Sequence, residues 1–202
     1  MNQSYDPKKP GHWEGLDNPG QSARYEAIRN HVKRHFAGSW PTLLDVGCGA
    51  AVLSHYTQGV CDYIGIEPNE EAALAARGSS LGATIYNQSA EAFESERRFE
   101  VIVFNEMLYY SSNPIELLQR YAQLLSPSGI LIVSIFLRPE RRSFRQLLRK
   151  LLKPNQPVSN LHCAEMVDRF FWSAKFVVRE RIPNAGTSML WIAKMDSAGD
   201  QR

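Results

Sequence analysis

Cysteine is scarce in this 202-residue chain. Its three copies, Cys48, Cys61 and Cys163, lie far apart, with no CxxC pair and no nearby cluster of metal-type ligands. That argues against a disulfide framework and against a zinc site, and no metal is expected. Long apolar runs are missing too. The longest, Ile130 to Leu137, is interrupted by Ser134 and falls well short of the roughly 20 residues that span a bilayer. The opening MNQSYDPKKPGHWEG has no apolar stretch behind its charges, so no leader and no transmembrane segment are expected, and the reading is a cytoplasmic chain with reduced thiols. An excess of either charge is also lacking. Twenty-three Lys and Arg against 21 Asp and Glu leave +2, too little for the whole surface to attract nucleic acid or membrane.

What remains is an ordinary globular composition, 44% hydrophobic and 22% charged, in a length suited to one core. Residues 1–20 hold three prolines and three glycines and read as an irregular arm. Ala23, Ile28, Val32 and Phe36 then mark an amphipathic lead helix between Ser22 and Gly38. From residue 42 the pattern is strand, turn and helix in repetition: TLLDV then GCGAAVLSHY, CDYIGIE then PNEEAALAAR, ATIY then SAEAF, FEVIVFN then NPIELLQRYAQLL, and GILIVSIF. Near-continuous β-branched and aliphatic strands separated by helical spacers predict a parallel sheet covered on both faces. Asn69 and Asn113 are expected N-caps, Pro114 suits a first helical position, and Gly78 is expected to follow a helix end. KFVVRERI, PNAG and SMLWIAKM predict a terminal antiparallel hairpin. The expected organisation is an arm over 1–20, one domain over 21–196 and a tail over 197–202.

The densest information lies in LLDVGCGAA, residues 43–51, where a buried strand ends in Asp45 and turns through Gly47 and Gly49. Glycines at that spacing let backbone approach a ligand, at the strand edge where open α/β sheets bind theirs. Twenty-two residues after Asp45, the second strand ends in Glu67, placed for a carboxylate to accept hydrogen bonds from two ribose hydroxyls. A nucleoside ligand follows. A dinucleotide fingerprint would want glycine at Val52 and has no use for an acid at the first strand tip, so NAD fits poorly.

The DxGxG element with Glu67 resembles motif I and the acidic loop of class I S-adenosylmethionine-dependent methyltransferases. NQSAEAF (87–93), FNEMLYY (104–110) and LLSPSGILIVS (124–134) resemble further elements of that family in the right order. The resemblance implies a Rossmann-like, doubly wound and mostly parallel seven-stranded α/β sheet, with S-adenosylmethionine as cofactor. It implies cofactor contacts from Asp45, Gly47, Cys48, Gly49, Glu67, Pro68, Ser89, Ala90 and Asn105, with the side chain or backbone of Ser89 and Ala90 at the adenine. Ala51 stands where many members carry a third glycine, and Ser89 where many carry Asp. EMLYY is similar to the EVLYY stretch of nodulation-type N-methyltransferases acting on chitooligosaccharides, which turns the expected acceptor towards a sugar or other small polar metabolite.

Where the acceptor must lose a proton, Glu106, Tyr109 and His162 are the candidate catalytic groups, in that order. Cys48 is expected to fill space behind the loop, not to react. The segment from Arg138 to Lys153 carries seven basic residues against Glu140 alone, a local +6. It belongs to a stretch, 138–175, expected to cover the substrate, and it leaves open an anionic or carrier-linked acceptor. No basic–aromatic interleaving supports RNA as substrate, and nucleic acid is disfavoured as a partner. Two other classes compete with the enzyme: a non-catalytic nucleoside-binding module and an NAD-dependent oxidoreductase. Composition and pattern are silent on oligomeric state.

Overall fold

The computed structural model describes residues 19–79, 82–137, 160–173, 176–183 and 187–194. The tail, the whole basic segment 138–153 and residues 1–18 of the expected arm lie outside these residues, while the arm's last two residues, Pro19 and Gly20, belong instead to the first helix. In chain order the elements are α1 (Pro19–His35), β1 (Thr42–Val46), α2 (Val52–Thr57), β2 (Asp62–Ile66), α3 (Glu70–Ser79), β3 (Thr84–Tyr86), β4 (Phe99–Asn105), a 3-10 turn (Leu108–Tyr110), α4 (Pro114–Ala122), β5 (Leu125–Leu137), α5 (Asn160–Phe170), β6 (Phe176–Pro183) and β7 (Thr187–Lys194). The strands form one sheet in the order β3-β2-β1-β4-β5-β7-β6. The first five are parallel, and β7 runs antiparallel to both β5 and β6. The doubly wound reading and its terminal hairpin hold.

Two apolar layers sandwich the sheet, and the period-two alternation of the strands feeds both. Leu44, Val46, Ile102 and Phe104 join one cluster with Leu118, Tyr121, Val167 and Trp191. Leu43, Val101 and Val103 join the other with Ile28, Val32 and Tyr63. Every residue of β1 is buried, as a central parallel strand requires. The strand order reverses between β1 and β4, so a cleft opens at their carboxyl ends.

Local chemistry sets most boundaries as expected. Asn69 Oδ1 accepts the Ala72 N–H at 2.9 Å, and Asn113 Oδ1 accepts the Glu116 N–H at 3.4 Å with Pro114 at the first helical position. Elsewhere the structure corrects the pattern. Gly78 lies inside the last turn of α3 instead of beyond it, and β5 begins at Leu125, four residues before the expected Gly129, through an irregular register against Phe99 and Val101. SAEAF is no helix. The Ala92 N–H donates to both the carbonyl and hydroxyl oxygens of Ser89, each at 3.2 Å, and Arg120 holds the carbonyls of Ala90, Glu91 and Phe93. Five residues tied this way close a turn before helical hydrogen bonds can propagate.

Within the expected cover, α5 belongs to the flank of the sheet. Cys163, Ala164 and Val167 are buried there, and the Trp191 indole N–H of β7 donates to Asp168 at 2.9 Å.

β2 and the loop after β1 meet at Gly65. A Cβ there would stand 2.7 Å from Cys48 Sγ and 2.9 Å from Ile85 Cδ1, so only glycine lets the loop lie against the strand. Gly65→Ala is expected to destabilise the fold by about 1–3 kcal/mol through overpacking, and adding Cys48→Ala should recover part of that loss. Urea unfolding of the two variants checks both statements.

Candidate functional site

The loop after β1 is folded onto β2 by backbone. The N–H groups of Gly47 and Cys48 both donate to the Ile66 carbonyl, at 2.9 and 3.0 Å. Gly47 takes φ +71°, and a Cβ there would lie 3.0 Å from Met107 Cβ, so the turn needs glycine both for its dihedral and for its space. Ala51 takes φ 56° without being glycine. That left-handed state costs an L-residue roughly 1–2 kcal/mol, and the Ala51 methyl is packed among the apolar groups beneath α1.

Three ionisable groups from separate elements converge beside this loop. Asp45 is 1% exposed; its Oδ2 accepts the Tyr63 hydroxyl at 2.5 Å, while its Oδ1 has no hydrogen-bond partner among the described residues. Burial, opposed by the Tyr63 hydrogen bond, pushes this carboxyl up to about 7. Glu67 accepts the backbone N–H of Gly49 on one oxygen and that of Asn69 on the other, both at 2.9 Å, and its pKa is raised by burial against these two donors. Arg24 arrives from α1, 3% exposed. Its guanidinium donates to Gln21 Oε1, lies 3.6 Å from Glu106 Oε1 and has at Nε no partner among the described residues.

All of these line one cleft of about 270 Å³, together with Gly47, Cys48, Gly49, Pro68, Ala90, Asn105 and Tyr109. So ten of the twelve residues expected at the site are brought together. Ser89 is not among them, because its hydroxyl caps the turn at Ala92. His162 is not either: it stands on the exposed face of α5, with Nδ1 3.6 Å from Glu165. The Cys48 thiol packs against Gly65 and is driven far up by burial, which removes it as a nucleophile. Among the described residues no group of three or more His, Cys, Asp or Glu could hold a metal ion, and no helix is long and apolar enough to cross a membrane.

Sequence reading missed Arg24, Tyr25, Leu53, Glu91 and Ser111 in this lining, whereas Met107 and Tyr110 belong to the FNEMLYY stretch it placed beside the site. A signal for Arg24 existed: it precedes the buried Ile28 by four residues and Val32 by eight, so a cation occupies the apolar face of α1. In the lining, Tyr109 and Tyr110 stand with ring centroids 4.6 Å apart. Glu106 sits at φ 61° and receives the Phe136 N–H at 2.6 Å and the Tyr109 hydroxyl at 3.3 Å. Chemically, the cleft offers an anion, a cation and a second carboxylate at the strand ends, walled by Met107 and tyrosine.

Comparison with known proteins gives this arrangement a kinship. A family model described as a methyltransferase domain matches residues 20–180. The ubiquinone biosynthesis O-methyltransferase of Rhodopseudomonas palustris (strain TIE-1) is 31% identical over 97 residues, 46% of this chain and 38% of that protein. The same enzyme of Shewanella pealeana is 29% identical over 113 residues, 52% of this chain and 48% of that protein. The chain thus spans less than half the length of these curated relatives. Among solved structures, the N-methyltransferase NodS from Bradyrhizobium japonicum WM9, in complex with S-adenosyl-L-homocysteine, superposes with TM-score 0.67 at 16% identity, covering 93% of both chains. The plantazolicin methyltransferase BpumL with a pentazolic desmethylPZN analog and SAH gives 0.65 at 16% identity, covering 91% of this chain and 88% of that one. At such identities the superpositions speak for the fold. With the family match running from α1 into β6, the chain belongs to the methyltransferase-domain family.

Proposed function

We propose that the chain binds S-adenosylmethionine across the ends of β1, β2 and β4 and transfers its methyl group to a small polar acceptor, with residues 21–196 acting as one catalytic unit. The observation that carries this reading is a buried carboxyl and a buried guanidinium on one cleft, each with an atom that has no partner among the described residues: Asp45 Oδ1 and Arg24 Nε. Leaving buried polar atoms without partners is costly. An ammonium for the first and a carboxylate for the second would satisfy both, and a free amino-acid end supplies that combination.

Asp45 and Arg24 would hold that end. Glu67, whose oxygens are oriented by two backbone N–H groups, would accept from ribose hydroxyls, and Pro68 and Ala90 would flank the base. When bound, the cofactor supplies an electrophilic methyl on a sulfonium. The chain's own work is positioning: it aligns the acceptor and keeps water away. Met107 packs against the glycine turn from the side of β4, and the half-exposed Tyr110 adds an aromatic ring beside that of Tyr109 to the lining. A polar ring such as a sugar suits that lining. A nicotinamide dinucleotide does not, since Val52 stands where its fingerprint needs glycine. Tyr109 is buried beside Glu106, and both effects raise its pKa well above the ordinary value, so it serves as a hydroxyl donor and not as a base.

In a thermal-shift panel, S-adenosylhomocysteine should stabilise the protein while NAD and NADP do not; the opposite ranking would sink this reading. Turnover of labelled S-adenosylmethionine on amino-sugar, sugar and phenol acceptors separates an enzyme from a binding module and identifies the acceptor atom.

Glu67→Ala should weaken S-adenosylhomocysteine binding roughly ten- to a hundredfold, the loss of charge-assisted hydrogen bonds worth about 1.5–3 kcal/mol. Calorimetric titration reads it directly.

Asp45 predicts a pH dependence. Its carboxyl is raised from 3.8 to about 7 in the folded protein, so between those values the folded state holds a proton that the unfolded chain has released. Its contribution to stability therefore falls as pH rises through that window and is level above it. A ligand ammonium requires the ionised form. Affinity for S-adenosylhomocysteine should accordingly rise between about pH 6 and 8 and then flatten, and Asp45→Asn should abolish the rise.

A further inference from the structure

Glu106 stands where the sequence suggests a base, yet its carboxylate is filled from the protein side. Oε2 accepts the Phe136 N–H at 2.6 Å and the Tyr109 hydroxyl at 3.3 Å. Around Oε1 stand the Ser188 hydroxyl at 3.3 Å and the Arg24 guanidinium at 3.6 Å; the Ser134 hydroxyl is 3.2 Å away, but its one proton has the shorter contact with Asn105 Oδ1 at 2.8 Å. Of a carboxylate's roughly four lone-pair sites, three face the Phe136 N–H and the Tyr109 and Ser188 hydroxyls and the fourth faces the Arg24 guanidinium.

The backbone adds a second observation. Glu106 adopts φ 61°, a left-handed state that a non-glycine residue keeps only where its surroundings over-determine it. The Glu106 N–H donates to the Ser134 carbonyl at 3.1 Å, so main chain and side chain are both fastened to β5. With Ser188 from β7 and Tyr109 from the 3-10 turn, one negative charge is held rigidly at the cleft wall. Arg24 is what it faces. The side chain of Arg24 is 4% exposed, packs over the Tyr25 ring at 4.8 Å and is gripped between Gln21 and Glu106, which aims its Nε.

We propose that Glu106 is a positioning residue: its charge, anchored by β5 and β7, fixes the Arg24 guanidinium and so builds the carboxylate-recognising end of the cleft, instead of taking a proton from the acceptor. The inference deepens the cofactor reading and rests on it.

Two ligands distinguish the possibilities: S-adenosylhomocysteine, which carries the amino-acid end, and 5′-methylthioadenosine, which lacks it. Calorimetric titrations use the full chain as wild type, Glu106→Gln, Arg24→Met and the double variant. Glu106→Gln should weaken S-adenosylhomocysteine roughly tenfold and leave 5′-methylthioadenosine within about twofold. In the Arg24→Met background it should cost no further affinity, because the two residues act in series. Glu106→Asp keeps the charge and tolerates the left-handed backbone; it should show a smaller loss with the same selectivity, and it serves where the Gln variant does not fold.

Equal weakening of both ligands would make Glu106 a merely structural residue and overturn the proposal. So would unchanged affinity for S-adenosylhomocysteine. A wild-type protein that fails to bind S-adenosylhomocysteine at all would instead overturn the cofactor reading.

Discussion

A carboxylate taken out of water must be given donors, and Glu106 draws them from β5, β7, the 3-10 turn and α1. These stretches are remote in sequence, so the contact can form only when the sheet is complete. The same contact governs how α1 sits. That helix lies before the first strand and contributes Arg24 and Tyr25 to the cleft, while Ile28 and Val32 bury its apolar face against the sheet. A second tie, His31 to Glu180 of β6 at 2.7 Å, holds the helix further along. One wall of the site is therefore a helix pinned by polar contacts at two points and by apolar packing between them.

Four acids line the cleft, and their surroundings make them different groups. Asp45 is sealed in with one oxygen unpaired among the described residues, which favours its neutral form until a cation arrives. Glu67 is oriented by two main-chain donors. Glu106 is saturated. Glu91, on the turn held by Arg120, is exposed and has the Ser111 hydroxyl at 3.4 Å. Residue type is the same or nearly so in each case; donors and access to water divide the roles.

The relatives illustrate how function divides over such a fold. NodS and the plantazolicin methyltransferase superpose on nearly the whole chain at 16% identity. The shared sheet persists at low identity because it depends on backbone turns and on the apolar pattern of the strands. Function is set by the side chains grafted onto such a frame and not by the frame itself.

The sequence by itself determined the parts built from neighbours along the chain. The strands from Thr42 to Phe136, the DxGxG turn, the caps at Asn69 and Asn113, and the pairing of Asp45 with Glu67 at adjacent strand ends are set by periodicity, turn chemistry and spacing, all local properties. Tertiary structure decided the rest. Arg24 reads as an ordinary helical cation until β4 and β5 present Glu106 to it. Glu106 reads as a free base until Phe136 and Ser188 fill its oxygens, and His162 reads as a site residue until α5 turns it to the surface. Ser89 and the SAEAF stretch went astray because Arg120, some thirty positions away, holds that turn. Each depends on which donor meets which acceptor across the sheet, and a hydrogen bond or buried charge is worth something only at contact distance, which a linear pattern does not encode.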